Sequence, residues 1–275
     1  MNTGSANANA NANAEPEAVP PPPWWKLALE ARAPFELGIG LMSGLPLLAA
    51  AERGDGHAVL VFPGMVASDV STAPLRRWLR ALGYDAHGWE QGRNFGPRPA
   101  SLTASLERIR ELRRSSGRKV SLIGQSLGGI YARELAKQAP NDVRVVITLG
   151  TPFTGGALST NAWQLFEAMN GGGLDLPFNR DAVRQPPPVP TTSIYSRTDG
   201  IVAWQCSVDA QGALTEAVEV QGSHTGMGVN PLVLHVVADR LAQPEGGWAP
   251  FERRGARRWL YRDAGAAASA SASGA

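Results

Sequence analysis

This sequence of 275 residues contains little cysteine and lysine and has a small net charge, and each of these features limits the possible function or structure. Cys206 stands alone, which excludes an intramolecular disulfide and a cysteine-based metal site, and we expect it to be a small buried apolar residue. The formal net charge is only +2, which provides no electrostatic basis for binding nucleic acid. Lysine occurs only at positions 26, 119 and 137, and we interpret the preference for arginine as codon bias.

The chain also lacks a long uninterrupted apolar run. Its first residues show no basic segment followed by an apolar one, so we expect a cytoplasmic protein without a secretory signal. The most apolar stretch, residues 35–51, is interrupted by Glu36, by glycines and by Pro46, and is shorter than the ~20 residues that a spanning helix needs. It predicts a helix packed on the core, with a segment lying on a membrane surface as the alternative.

Both ends of the chain have compositions that cannot form a packed core. Residues 1–23 consist of Asn-Ala repeats and a proline run, and residues 264–275 of Ala, Ser and Gly, so we predict two disordered tails. The remaining residues, 24–263, have the length of one domain. Within them, residues 153–190 fit no strand or helix of the body and predict a cap insertion.

Strand and helix patterns alternate through the middle of the chain. Strands are predicted at residues 57–62, 84–89, 120–124, 143–149, 192–196 and 217–220. The first predicted helix begins at a cap and an early proline in residues 71–74 and ends at residue 82. Further helices are predicted at residues 101–116, 127–138 and, as the last one, 230–241. This order predicts an α/β fold with a mostly parallel sheet and helices on both faces, in which active groups collect at the carboxyl ends of the strands.

One serine lies between glycines where a predicted strand meets a predicted helix, in Gly124-Gln125-Ser126-Leu127-Gly128, followed by Gly129. The Gly-x-Ser-x-Gly pattern arises by chance about 0.2 times at this glycine content, so its context must decide its meaning. The glycines remove side chains that a sharp turn would crowd, and such a turn exposes the serine oxygen. We therefore predict that Ser126 is a nucleophile rather than an ordinary helix cap.

A serine nucleophile needs a base within hydrogen-bond reach and a group that orients the base. Asp199 follows one late strand and His224 follows the next, so both are expected at the same edge of the sheet as Ser126. The order Ser, Asp, His along the chain is that of the nucleophile-elbow hydrolases.

Each of these assignments has an alternative. Asp199 could be only a turn residue, with Asp175 and Asp181 as competing acids in an irregular segment. His224 could be a solvated loop residue, although the other histidines are less well placed. His57 lies at the start of a predicted strand, His87 inside a predicted strand and His235 inside a predicted helix.

The oxyanion that forms during acyl transfer needs backbone donors. One donor is expected from the residue after the nucleophile, Leu127, and a second from the loop after an early strand. That loop is Phe62-Pro63-Gly64-Met65-Val66, in which Met65 is the natural candidate. The loop at residues 92–97 either lines the mouth of the site or is a plain turn.

These motifs resemble the α/β-hydrolase superfamily, in particular its bacterial lipase- and esterase-like members, over about residues 24–260. The stretches that carry the resemblance are Phe62-Pro63-Gly64-Met65, Gly124-Gln125-Ser126-Leu127-Gly128, Gly150-Thr151-Pro152, Thr198-Asp199-Gly200-Ile201-Val202 and Gly222-Ser223-His224. The chain departs from the usual pattern at Pro63 and Phe153, where many relatives have histidine. The resemblance implies an α/β-hydrolase fold and, from the single apolar residue after Gly64, a preference for medium or long acyl chains.

The cap insertion contains the remaining candidates for substrate binding. Asn161 can cap a helix whose apolar residues recur at helical spacing and include Phe166, while Trp163 projects from another side. We predict that Trp163 and Phe166 bind substrate from a mobile cap, with a static decoration as the alternative. Trp204 is a further candidate, with a place in the core as its alternative.

Together these residues predict a serine hydrolase that cleaves carboxylic esters through an acyl-enzyme, without a metal or a cofactor. The alternatives are an acyltransferase, or a thioester or amide hydrolase, with the same triad, and a non-catalytic interaction protein that keeps the fold. The expected partner is a small-molecule or lipid-like ester. A peripheral membrane contact and the oligomeric state stay open.

Overall fold

A seven-stranded sheet forms the centre of the protein, in the order β2-β1-β3-β4-β5-β6-β7. The structure, a computed structural model, describes residues 19–154, 159–162, 179–209, 212–255 and 257–263. The strands are β1 Ala58–Phe62, β2 Asp85–Gly88, β3 Val120–Gln125, β4 Val143–Leu149, β5 Thr191–Tyr195, β6 Thr215–Glu219 and β7 Arg262–Asp263. The first six are parallel and β7 is antiparallel to β6, so the predicted mostly parallel α/β sheet is confirmed.

Helices cover both faces of this sheet. Within the described residues they are α1 Trp25–Leu29, α2 Ala33–Ala50, α3 Asp69–Leu82, α4 Pro99–Ser116, α5 Leu127–Gln138, α6 Arg180–Arg184, α7 Pro231–Ala242 and α8 Arg257–Leu260. Residues of α3 and α7 share one buried apolar cluster with strand residues, and residues of α4 and α5 share a second one. Strands such as β4, buried along their whole length, therefore carry apolar side chains on both faces.

One predicted helix boundary and the predicted place of the last helix are wrong. The helix α3 begins at Asp69, before the predicted cap, because Ser68 is already extended at φ −132° and ends the preceding loop. Pro74 consequently lies inside the helix. Because proline has no N–H, the helical hydrogen bond to the Val70 carbonyl is missing, and Val70 is 82% exposed. The helix α7 is not the last element, since α8 and β7 follow it and bury Tyr261.

Residues 35–50 of the apolar stretch lie in α2, which bends near residue 41, and only one side of the helix meets the core. Leu47 and Leu48 pack against the buried cluster that contains α3 and α7. The other side exposes large apolar side chains, among them Phe35, Ile39, Met42 and Leu45. The prediction of a core-packed helix is therefore correct for one face only.

No single helix among the described residues is long and apolar enough to cross a membrane. The bent pair Trp25–Gly40 and Met42–Ala50, at 57° to each other, meets the criteria of length and hydropathy only when taken together.

A buried ion pair ties α5 to the loop that precedes β6. The Arg133 guanidinium donates to both oxygens of Asp209, at 2.6 and 3.0 Å, and lies 3.8 Å from the centre of the Phe153 ring. Ser193 also donates to Asp209, at 2.9 Å. The Arg133 side chain is fully buried, so its charge depends on this carboxylate.

Asp209→Ala is expected to lower the free energy of unfolding by about 3–5 kcal/mol, because it leaves the Arg133 charge buried without a partner. Urea unfolding followed by circular dichroism measures this change. Glu111→Gln is the control, since it removes a carboxylate from an exposed ion pair with Arg108 and should leave stability nearly unchanged. Equal stability of the Asp209 variant and the wild type would contradict the assigned role of the buried pair.

Candidate active site

Ser126 occupies a sharp turn between β3 and α5, with φ 52° and ψ −124°. A non-glycine residue at positive φ is strained, and such strain persists only where the surroundings hold it. The surroundings do so by close backbone packing. A Cβ on Gly124 would lie 2.3 Å from the Gly128 carbonyl oxygen, and one on Gly128 would lie 2.4 Å from that of Phe62. These two positions therefore require glycine, as the sequence pattern predicted.

The main chain of Ser126 is tied on both sides. Its N–H donates to the Leu149 carbonyl at 2.8 Å, which links the turn to the end of β4. Its carbonyl accepts from the Thr151 hydroxyl at 2.9 Å and from the Gly129 N–H at 2.9 Å. A Cβ on Gly129 would lie 2.0 Å from the Thr151 oxygen, so this glycine allows the contact. The turn is thus held rigidly, with its serine at the carboxyl end of the sheet.

Asp199 and His224 form a hydrogen-bonded pair on the loops after β5 and β6. His224 Nδ1 lies 2.7 Å from Asp199 Oδ2, and both residues are buried. The other oxygen of Asp199 accepts from the N–H groups of Ile201 and Val202, each at 2.8 Å. The carboxylate is therefore fixed in its loop and orients the imidazole.

This pair lies beside the strand end that neighbours the serine turn. A Cβ on Gly150, the residue after β4, would lie 3.0 Å from His224 Nδ1 and 3.2 Å from Asp199 Oδ2. The side chain of Gln125 donates to the His224 carbonyl at 3.2 Å. Among the described residues no hydrogen bond joins the Ser126 hydroxyl to the imidazole, a contact that is often long before substrate binds. The three predicted residues nevertheless all follow the carboxyl ends of their strands, β3, β5 and β6.

The pKa of His224 is shifted by opposing effects. Burial by itself lowers it, whereas the charge of Asp199, its hydrogen bond to the ring and the charge of Glu30 raise it. The attractions outweigh burial, and the pKa of His224 lies above its ordinary value. The site therefore favours the imidazolium that forms when a base accepts a proton.

The loop after β1 lies against the serine turn, where the oxyanion donors are predicted. A Cβ on Gly64 would lie 3.4 Å from the Ser126 Cβ. Within the part of the chain that the structure describes, the N–H groups of Met65 and Leu127 have no hydrogen-bond acceptor. Both are thus free to donate to a substrate, while the N–H of Val66 is already bonded to the Asn94 carbonyl at 2.7 Å.

Asn94 holds this loop, a role that the sequence analysis missed. Its side chain is fully buried and donates to the Pro63 carbonyl at 2.8 Å, and its N–H donates to Ala67 at 2.9 Å. Together with the bond to Val66, these contacts fix the conformation in which Val66 adopts φ 54°. The only local signal was an asparagine inside the glycine-rich loop 92–97, which is equally typical of a plain turn.

A second Asp-His-Ser chain occurs at the opposite end of the strands. His57 Nε2 lies 2.7 Å from the Ser121 hydroxyl, and its Nδ1 contacts Asp55. Both His57 and Ser121 are 0% exposed, and burial lowers the pKa of His57. No substrate can reach a hydroxyl that is enclosed in this way, so the group stabilises the fold.

The other predicted site residues are placed as follows. Trp204 begins a 3₁₀ turn and stacks on Tyr195, with 5.6 Å between the two ring centres. The Arg197 guanidinium lies 4.1 Å from the centre of the Trp204 ring. Trp163, Phe166 and Asp175 lie outside the described residues, as does much of the predicted cap. Asp181 lies in α6. The roles of Trp204, Trp163 and Phe166 in binding substrate stay predictions.

Cys206 is free and buried, as the sequence predicted. Within the described residues, no group of three or more His, Cys, Asp or Glu side chains is arranged to hold a metal ion.

Comparison with known proteins agrees with this architecture. The sequence model of the Alpha/beta hydrolase family matches residues 59–270. Because this match spans most of the chain, the protein belongs to the α/β-hydrolase family. No curated protein matches it.

Two solved lipase structures are similar to this chain. Bacillus licheniformis lipase BlEst2 in its mature form has 19% identity and a TM-score of 0.53, over 70% of this chain and 95% of that one. Aspergillus fumigatus lipase B has 19% identity and a TM-score of 0.52, over 70% of this chain but only 54% of that one. This chain therefore spans about half the length of the Aspergillus protein. Identities this low show a shared fold.

Proposed function

We propose that the protein is a serine hydrolase of carboxylic esters with medium or long acyl chains, in which Ser126, His224 and Asp199 act as a triad. The observation that carries the proposal is the strained turn at Ser126, with φ 52°, beside the buried Asp199–His224 pair. Strained residues of this kind cluster at active sites, which supports a catalytic role for Ser126. Membership of the α/β-hydrolase family supports the same reading.

The residues suggest a two-stage reaction. The Ser126 oxygen attacks the acyl carbonyl while His224 Nε2 accepts its proton, and Asp199 stabilises the resulting imidazolium. The N–H groups of Met65 and Leu127 bind the oxyanion. His224 then returns the proton to the departing alcohol, leaving an acyl-enzyme. Water, deprotonated by His224, attacks the acyl carbonyl, and Ser126 regains its proton as the acid departs.

A preference for longer acyl chains rests on the predicted cap and on Met65 after Gly64. If the cap forms an apolar pocket, each methylene of substrate that it buries adds up to ~0.8 kcal/mol of binding. Acyl transfer and the hydrolysis of thioesters or amides use the same triad, so only the substrates accepted distinguish them.

The test is a series of p-nitrophenyl esters from acetate to octanoate, assayed with matched thioesters and amides. We expect kcat/KM to rise along the ester series and to exceed that for the amides. Trp163→Ala should flatten the rise while sparing acetate. A wild-type protein that is fastest on acetate, with no response to Trp163→Ala, would contradict the chain-length proposal. Failure to hydrolyse any substrate or to react with a fluorophosphonate would contradict the hydrolase itself.

A further inference from the structure

The segment before the family match contacts both loops that carry the Asp199–His224 pair. Residues 22–36, which we call the N-terminal clasp, precede the residues matched by the family, 59–270. Within the clasp, Glu30 lies in a 3₁₀ turn between α1 and α2. Its carboxylate is half-buried and faces the loops after β5 and β6. Glu30 lies outside the strands, so the packing of the sheet does not explain a carboxylate at this position.

The two oxygens of Glu30 accept four hydrogen bonds from these loops. Oε1 accepts from the N–H of Gly200 at 2.9 Å and from the N–H of His224 at 2.9 Å. Oε2 accepts from the N–H and the hydroxyl of Thr225, each at 3.0 Å. One oxygen thus bridges the residue after the acid and the base itself.

The opposing loop is shaped for this contact. A Cβ on Gly200 would lie 2.3 Å from the Lys26 carbonyl oxygen and 3.1 Å from the Glu30 Cγ. Any larger residue there would push the clasp away from the loop. The Lys26 ammonium also donates to the Arg197 carbonyl at 2.8 Å.

Neighbouring charges of the clasp bind the same two loops. Arg32 donates to the carbonyl and hydroxyl of Thr198, at 2.9 and 2.8 Å. Glu36 accepts from the N–H and hydroxyl of Ser223, at 2.8 and 2.5 Å. Arg32 and Glu36 also pair with each other at 3.1 Å. The residues immediately before the acid and the base are therefore held as well.

We propose that Glu30 is a positioning residue that holds the loops of Asp199 and His224 in register, and that its charge favours protonation of His224. The inference rests on the proposed function of that pair. Among the described residues, the charged groups that face His224 are Asp199 and Glu30, while Glu36, paired with Arg32, binds the preceding residue Ser223. Consistently, the charge of Glu30 acts to raise the pKa of His224.

The test compares the wild type with Glu30→Gln and Glu30→Ala. Glu30→Gln keeps the size of the side chain but removes its charge, so the pKa of His224 should fall and the acid limb of kcat/KM should move to lower pH. Glu30→Ala should in addition lower kcat by about 10²-fold, because small displacements of catalytic groups have effects of that order. KM should change little, since Glu30 does not line the serine turn.

Titration of the His224 ring by NMR in labelled protein measures the same change without any substrate. A wild type that hydrolyses no ester would refute the proposed function, while this titration would still decide the role of Glu30. Unchanged titration of His224 in Glu30→Gln, or loss of the fold in that variant, would overturn the inference.

Glu216→Gln is the matched control. Glu216 is also a buried carboxylate with several donors, namely Thr192 at 2.8 Å, Arg240 at 2.9 Å and the Phe251 N–H at 2.7 Å. It lies near the start of β6, at the opposite end of the strand from His224. We expect Glu216→Gln to lower the thermal midpoint without moving the titration of His224. An equal shift in both variants would show a general effect of lost stability and would overturn the specific role.

Discussion

Ser126→Ala is expected to reduce kcat for ester hydrolysis by about 10⁴- to 10⁶-fold and to abolish labelling by a fluorophosphonate. In the proposed mechanism this change removes the oxygen that would form the acyl-enzyme, so only substrate binding and the proposed oxyanion donors would still accelerate the reaction. The thermal midpoint should stay close to that of the wild type, because the serine side chain makes no hydrogen bond to another described residue. Steady-state kinetics, probe labelling and thermal unfolding measure the three effects.

Ser121→Ala is the matched control for this experiment. The Ser121 hydroxyl is also hydrogen-bonded to a histidine, His57, but it is fully enclosed at the other end of the strands. Its removal leaves a buried imidazole nitrogen without a partner and should cost about 1–3 kcal/mol of stability while sparing kcat. Loss of activity in Ser121→Ala, with normal rates in a folded Ser126→Ala, would reverse the assignment.

Asp199→Asn is expected to lower kcat by about 10⁴-fold, with little change in KM, because the amide favours the wrong tautomer of the imidazole. Asp199 Oδ1 already accepts from the Ile201 and Val202 N–H groups. The amide of asparagine would keep its carbonyl towards these two donors and turn its NH₂ towards His224 Nδ1. That ring nitrogen would then accept a hydrogen bond, so the proton of the neutral imidazole would lie on Nε2. A protonated Nε2 cannot act as the base.

Asp181→Asn provides the comparison, since Asp181 was a competing acid by sequence and lies in α6. We expect its kcat to equal that of the wild type. If Asp175→Asn or Asp181→Asn were damaging and Asp199→Asn harmless, the choice of acid would be wrong. Labelling rates with a fluorophosphonate provide an independent measure, since they too depend on the base that activates Ser126.

The parts of the fold that could be predicted were those specified by local patterns. Residues 127–138 and 143–149 repeat their apolar side chains at periods typical of a helix and of a buried strand, and both elements have the predicted bounds. The glycines around Ser126 predicted a close approach of main chains that the structure contains. In these cases the physical constraint acts between near neighbours and is visible in the order of residues.

The features that were missed depend on distant or ambiguous contacts. Residues 35–51 are apolar on all sides, so no periodicity indicates that one face of α2 stays exposed. Asn94 donates to the carbonyl of Pro63, which precedes it by 31 residues. Glu30 binds loops near residues 200 and 224. A single polar residue with a remote partner leaves no local pattern, so the contacts of the clasp became visible only in three dimensions.

The separation along the chain between the clasp and its partners affects the order in which the site is assembled during synthesis. Glu30 precedes Gly200 by 170 residues and His224 by 194, so it leaves the ribosome long before the loops it binds. Contacts at such separations form late, because the intervening chain must first be ordered. A nascent chain that has emerged only as far as Ser126 contains the glycine-flanked serine but neither Asp199 nor His224. Under the proposed function, we therefore expect a reactive serine only after most of the polypeptide has been made.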